Sequence, residues 1–229
     1  MTPIAIAHTP FKEKFAIPRQ PLLAPAAKGK IELLPPYNQS ITLEGLEQVS
    51  HIWLIFQFHA VTANTEQHLQ VRPPRLGGNQ KIGVFASRST HRPNGLGMSV
   101  VKLDKVEEGV LWVSGLDLLD GTPILDIKPY VPYADSLPHA QNGIAELPPE
   151  PIQVSWQPDA LSNAQAAAQR LNTQVVELIE QVLAQDPKPA YQHPSPERIY
   201  GTVLWDLNVR WHYPAPHCIT VLEVATSSD

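Results

Sequence analysis

The sequence predicts a mainly β protein, with a β-barrel over residues 1–155 and a small α+β domain over residues 156–229. Three observations predict it. Six short runs rich in β-branched, aromatic and leucine residues fill the first part, and one apolar helical stripe opens the second. No G-x-G-x-x-G follows a strand-like run, which counts against a doubly wound nucleotide-binding sheet. Proline supplies 24 of the 229 residues, about twice ordinary usage. Lacking an N–H and fixed in φ, it favours short strands and structured loops over long helices.

The strand-like runs are Lys30–Leu34, Val49–His59, Lys81–Ser87, Ser99–Leu103, Val110–Leu118 and Ile124–Ile127. His51 to His59 is apolar on both faces, as a centrally buried strand requires. Gly77-Gly78-Asn79 and Glu107-Glu108-Gly109 have the composition of hairpin turns. Leu147-Pro-Pro-Glu-Pro151 reads as a stiff connector. Beyond it Leu161, Ala164, Ala168, Leu171, Val175, Leu178 and Val182 recur at spacings of three and four, one helical stripe that Asp186-Pro187 ends. Strand-like Ile199–Val203, Asn208–Trp211 and Cys218–Val224 follow.

The net charge of −5 argues against indiscriminate nucleic-acid binding. Its distribution is more informative. Between Glu66 and Asp104 there is no acid, yet Arg72, Arg75, Lys81, Arg88, Arg92 and Lys102 all lie there, a local basic patch or a solvated loop with partners elsewhere. The single Cys218 needs no oxidising compartment, and no run approaches the roughly 20 apolar residues of a membrane span. A cytoplasmic protein is expected. The nine histidines show no metal-ligand spacing, so no metal site is expected.

Three segments carry chemistry. In Ile82 to Ser99 a strand runs into a loop with Arg88 and Arg92, whose forked donors suit carboxylate or phosphate, and with Gly95 and Gly97, which allow close backbone approach. The same arginines could instead pair with acids of a structural hairpin. In Leu119 to Asp135 a turn, a strand and its end bring together Asp126, Lys128 and Tyr130; Asp126 could equally be a buried, satisfied acid and Tyr130 a core aromatic. The third, Phe11 to Pro21, is a polar loop carrying Arg19 and Gln20.

Together these segments resemble the TrmO (TsaA-like) family. Gly83 to Ser99 follows its phrase G-x-F-A-T-R-S-P-x-R-P-N-P-I-G-L-S nearly residue for residue, Asp120-Gly-Thr-Pro-Ile-Leu-Asp-Ile-Lys-Pro-Tyr130 its second signature, and Ile17-Pro-Arg-Gln-Pro21 its N-terminal loop. Asp186–Gln192, Arg198–Gly201 and Asn208–Trp211 resemble the C-terminal domain of bacterial members. Departures are Ser87 for threonine, Thr90-His91, and Gly95-Leu96 for Pro-Ile. The resemblance implies a non-Rossmann β-barrel methyltransferase, working as a homodimer. It would move the methyl of S-adenosylmethionine to N6 of threonylcarbamoyladenosine beside the anticodon of tRNA. By motif, the cofactor would touch Pro18, Arg19, Gln20, His59, Ala60, Arg88, Met98 and Asp126, Ile127, Lys128 and Pro129.

The attacked nitrogen belongs to a urea and is a poor nucleophile, so alignment matters and a base would help. Asp126, His59 and Tyr130 are the candidates. The substrate's own carboxylate calls for Arg92 or Lys128, with Asn94 in the same loop; Arg198 and Arg210 are the C-terminal candidates for gripping the anticodon arm. On this division of labour the cofactor site is expected to stand without the residues after Pro158. Methylation of another nucleoside or a small molecule, and a non-catalytic module binding cofactor and RNA, remain alternative readings.

Overall fold

The structure, a computed structural model, describes residues 1–60, 69–73, 80–188 and 192–227. Its strands begin with β1 (Ala5–His8), β2 (Lys28–Leu33), β3 (His51–Gln57), β4 (Gln70–Val71), β5 (Ile82–Gly83), β6 (Leu96–Glu107), β7 (Val110–Ser114) and β8 (Thr122–Pro129). Alternation of apolar and polar residues turns Ile52, Leu54 and Phe56 of β3, Val101 and Leu103 of β6, and Leu111 and Val113 of β7 onto one buried face. Six strands close on that face in the order β1-β2-β7-β6-β3-β8, every pair antiparallel, so the barrel has no free sheet edge around its circumference.

The Lys81–Ser87 run is not one strand. Only Ile82–Gly83 pairs, with β4, and Val84–Ala86 is a 3-10 turn. Ser87 explains the turn: its N–H and its hydroxyl both donate to the Val84 carbonyl, at 3.2 and 2.9 Å, an arrangement no strand ladder allows. The Glu107–Gly109 turn is present as a tight β6–β7 hairpin with Gly109 at φ +70°. The Gly77–Asn79 turn lies outside the described residues.

After the short α1 (Pro132–Asp135) and an exposed connector come β9 (Gln153–Trp156), α2 (Pro158–Leu171), α3 (Val175–Leu183), β10 (Tyr200–Leu204), β11 (Leu207–Ala215) and β12 (Cys218–Thr226). The single stripe expected from Leu161 to Val182 is therefore two helices. Asn172, at φ +50°, breaks it because asparagine tolerates the left-handed region, and both helices keep their apolar residues on the same core. The strands form a second sheet of order β10-β11-β12-β9, with β9 parallel to β12. The expected division after residue 155 thus falls inside β9.

The segment between β1 and β2 joins the two sheets. Asp120 accepts from the Thr9 N–H at 2.8 Å and pairs with Lys12 at 2.7 Å, tying the segment to the barrel. On the other side Phe11, fully buried, bridges to Leu204, and the Trp205 N–H donates to the Pro10 carbonyl at 2.7 Å. Ala16, Ala24, Ala26 and Ala27 are buried in the core that both units share. Small residues here let a loop backbone approach the core closely.

Candidate active site

The motif loop between β5 and β6 is held by its own side chains. Arg92 donates from Nη1 to the Ser87 carbonyl at 2.8 Å, the Ser89 N–H reaches the Ser87 hydroxyl at 3.3 Å, and the Gly95 N–H reaches the Arg92 carbonyl at 3.0 Å. Gly95 takes φ +59°, which its lack of a Cβ permits. Arg92, expected to contact substrate, is therefore a staple of the loop, while Asn94 stands exposed at its tip.

Arg88 is exposed on this loop and donates from Nη1 to Gln20 Oε1, joining the motif loop to the Pro18–Gln20 loop. Pro18 is buried and Arg19 exposed. The Phe58 N–H donates to the Gly95 carbonyl at 2.8 Å, so His59 and Ala60, just past β3, are drawn to the same end of the barrel. Met98 and Asp126 lie directly opposite Ile55 on its two sides, and Lys128 opposite Trp53, on the outer face of β6-β3-β8. Met98 is 59% exposed there. β1 stops pairing with β8 at Ile124, so Asp126, Ile127, Lys128 and Pro129 are laddered to β3 on one side only.

The three candidates for a base do not converge within one chain. Asp126 sits at the middle of β3, while Tyr130 packs on His51 and Trp53 and donates its N–H to the His51 carbonyl. His59 lies beyond the opposite end, and β3 is about 20 Å long. Arg210 pairs with Glu223 at 3.0 Å in the second sheet, and Arg198, just before β10, stacks over Tyr200.

Asp117, between β7 and β8, escaped sequence reading. It is largely buried, with Ser99 beside it and Arg88 within electrostatic reach, while its Oδ1 has no hydrogen-bond partner among the described residues. Burial pushes its carboxyl up to about 6, against the opposing pull of Ser99, its own backbone N–H and Arg88. An acid inside the apolar run Gly115–Leu119 was the signal available.

Gly97 is also legible only in three dimensions. A Cβ there would lie 2.3 Å from Phe56 Cε2 and 2.8 Å from Phe58 Cζ. Phe56 is buried, so it cannot swing clear. Gly97→Ala is expected to cost about 1–3 kcal/mol of stability by overpacking, read as a lower urea midpoint; an unchanged midpoint would show that the two rings yield freely.

Residues 6–136 match the tRNA-methyltransferase O N-terminal domain, and residues 149–227 match the TrmO C-terminal domain. The chain belongs to the tRNA-methyltransferase O family. The relative named "Putative S-adenosylmethionine-dependent methyltransferase RcsF" from Pseudomonas aeruginosa is 62% identical over 225 residues, covering 98% of this chain and 97% of that protein. The tRNA (adenine(37)-N6)-methyltransferase of Escherichia coli K12 is 45% identical over 214 residues, 91% of this chain and 90% of its own length. A crystal structure of TrmO from Pseudomonas aeruginosa superposes with a TM-score of 0.85 at 55% identity, covering 98% of this chain and 96% of that one. The barrel and the second sheet are thus those of the TrmO family, and the two family signatures run onto the strands that flank β3 on its two sides.

Proposed function

We propose that this chain is an S-adenosylmethionine-dependent tRNA methyltransferase acting on N6 of adenine 37, with threonylcarbamoyladenosine as the modified nucleoside. One observation carries the assignment of the site: the Arg88 guanidinium of the motif loop meets Gln20 of the N-terminal loop, joining two of the three signature segments.

The residues present fit the cofactor. Arg88 offers a cationic fork to its carboxylate, the backbone of Asp126–Pro129 on the side away from β3 offers groups to its adenine, and Met98 offers an apolar surface. When bound, S-adenosylmethionine supplies an electrophilic methyl on a sulfonium. The protein's part is positioning. Pro18 and Gln20 orient Arg88, and the braced motif loop holds that cation in place against thermal averaging. Of the three titratable candidates, Asp126 stands at the cofactor face and is our choice for receiving the proton from N6; Tyr130 has a packing role at the far end of β3.

For tRNA, Arg72 and Lys81 are exposed on the acid-free segment beside this face and would meet phosphates. Arg75 lies outside the described residues. Of Arg92 and Lys128, Lys128 is our choice for the substrate's carboxylate, because Arg92 already donates through Nη1 within its own loop. The second sheet, with Arg198 and Arg210, would grip the anticodon arm. Phe85, 79% exposed, and Met98 are apolar side chains left open on the motif segment, and they support a homodimer that covers them. Cytoplasm is where this substrate would be met.

The test is nucleoside mass spectrometry of threonine-accepting and other threonylcarbamoylated tRNAs after incubation with protein and labelled cofactor. The expected product is threonylcarbamoyladenosine heavier by one labelled methyl. Label arriving on any other nucleoside would overturn the substrate assignment, and cofactor binding without transfer would favour the binding-module reading.

A further inference from the structure

The cofactor loop is held from the side by the second unit. Just past α3, Gln185 accepts from the Arg19 N–H through Oε1 at 3.2 Å, and the Asp186 carbonyl accepts from Arg19 Nη2 at 3.0 Å. One turn earlier Gln181 Oε1 accepts from the Ala26 N–H at 2.9 Å, and its carbonyl accepts from Gln185 Nε2 at 3.0 Å, which orients both amides. Asp186 is itself pinned. Its carboxylate accepts from the Tyr213 hydroxyl at 2.8 Å and pairs at 2.7 Å with Lys188, whose side chain is 11% exposed. Its φ of +53° turns the chain so that its carbonyl faces Arg19.

The loop is gripped at its other end as well. Phe15 stacks on buried Trp211 at 5.9 Å, and its carbonyl accepts from the Thr202 hydroxyl at 3.2 Å. Between the two grips lie Pro18 and Arg19, followed directly by Gln20, which holds Arg88. The Arg19 guanidinium, turned to the Asp186 carbonyl, caps the end of α3 and does not point at the Arg88 face.

We propose that Gln185 and Asp186 are positioning residues of the methyltransferase site: they fix the Pro18–Gln20 loop, and through Gln20 they aim Arg88 at the cofactor. This rests on reading Gln20 and Arg88 as the cofactor's neighbours. It reverses the expectation that the cofactor site stands without the residues after Pro158. Arg19 then acts through its backbone and as a cap, rather than as a fork for the cofactor's carboxylate. The barrel and the second sheet are energetically coupled, so a ligand that shifts the end of α3 changes cofactor affinity, and the cofactor changes that ligand's affinity by the same factor.

The experiment uses the full chain and three variants: Gln185→Leu, close in shape but without the acceptor; Asp186→Gly, which tolerates φ +53°; and Gln20→Ala. Titration calorimetry with S-adenosylmethionine, steady-state kinetics and thermal midpoints are measured for each. Gln185→Leu and Asp186→Gly are expected to weaken cofactor binding roughly three- to tenfold, the range for loss of one net hydrogen bond to a tenfold step. The KM for the cofactor should rise to match, with kcat at saturating cofactor retained. Cofactor affinity within twofold of the parent in both variants overturns the proposal, whether or not the thermal midpoint falls. Gln20→Ala then locates the fault. If it weakens binding, the loop meets the cofactor but needs no help from α3; if it does not, the cofactor reading of Gln20 falls too.

Discussion

Replacing Arg88 by alanine is expected to lower cofactor-dependent methyl transfer by roughly a hundredfold or more, the scale for losing a forked, charge-assisted contact in a pre-arranged site. Fold stability should hardly move. Arg88 is exposed, its side chain is hydrogen-bonded to Gln20 among the described residues, and the loop around it is braced by Arg92, Ser87 and Ser89 instead. Arg88→Lys keeps the charge but loses the planar fork, so it should recover only part of the rate. Initial rates on threonylcarbamoylated tRNA, with a thermal midpoint beside each, separate the two effects. A rate within fivefold of the parent in Arg88→Ala would sink the assignment of this end of the barrel as the active site.

Asp117→Asn is expected to act on the fold instead, giving a more stable protein at neutral pH. The Asp117 carboxyl is held at about 6 in the fold, above its ordinary value, because burial disfavours its charge. The native state therefore holds this proton more tightly than the unfolded chain. The stability this confers is full below about pH 4 and is lost as pH rises through about 6, a difference of about 3 kcal/mol. Asparagine does not ionise, so the variant should exceed the parent at pH 7.5 by about 2–3 kcal/mol, or several degrees in midpoint for a chain of this size. The gap should narrow steadily as pH falls from 6 toward 4. Equal midpoints at pH 7.5 would mean that the carboxyl is solvated in solution.

The barrel was legible where strands carry large apolar residues. His51–Gln57 and Val110–Ser114 are visible in sequence because Ile, Leu, Phe, Trp and Val run almost unbroken through them. β1 was not, since Ala5-Ile-Ala-His8 is short and its two alanines are buried only by the closure it completes. β9 was missed for a related reason: its Gln153-Val-Ser-Trp156 makes sense only beside β12, 64 or 65 residues away along the chain. At the site, the signature loops gave Arg88, Met98, Asp126 and Gln20 together, and the structure joins Gln20 to Arg88 and sets Met98 and Asp126 beside Ile55. Arg92 has a second role that no local pattern records: its Nη1 donates to carbonyls five and eight residues earlier and braces the loop. Asp117 and the Gln185–Asp186 grip depend on contacts between distant segments, which no local pattern records.

The parallel pairing of β9 with β12 has a consequence for how the chain is made. β12 lies between β11 and β9, so the second sheet lacks an interior strand until the ribosome has passed residue 226. The barrel can close much earlier, once β8 has emerged to meet β1 and β3. For roughly 100 residues of synthesis, at about 5–20 residues per second, a closed barrel must carry Phe11, Phe15 and Ala16 without the Trp211, Leu204 and α3 surfaces that later bury them. A nascent chain in that interval displays an apolar, unzipped N-terminal loop, and it is the same loop that later carries Gln20 to Arg88.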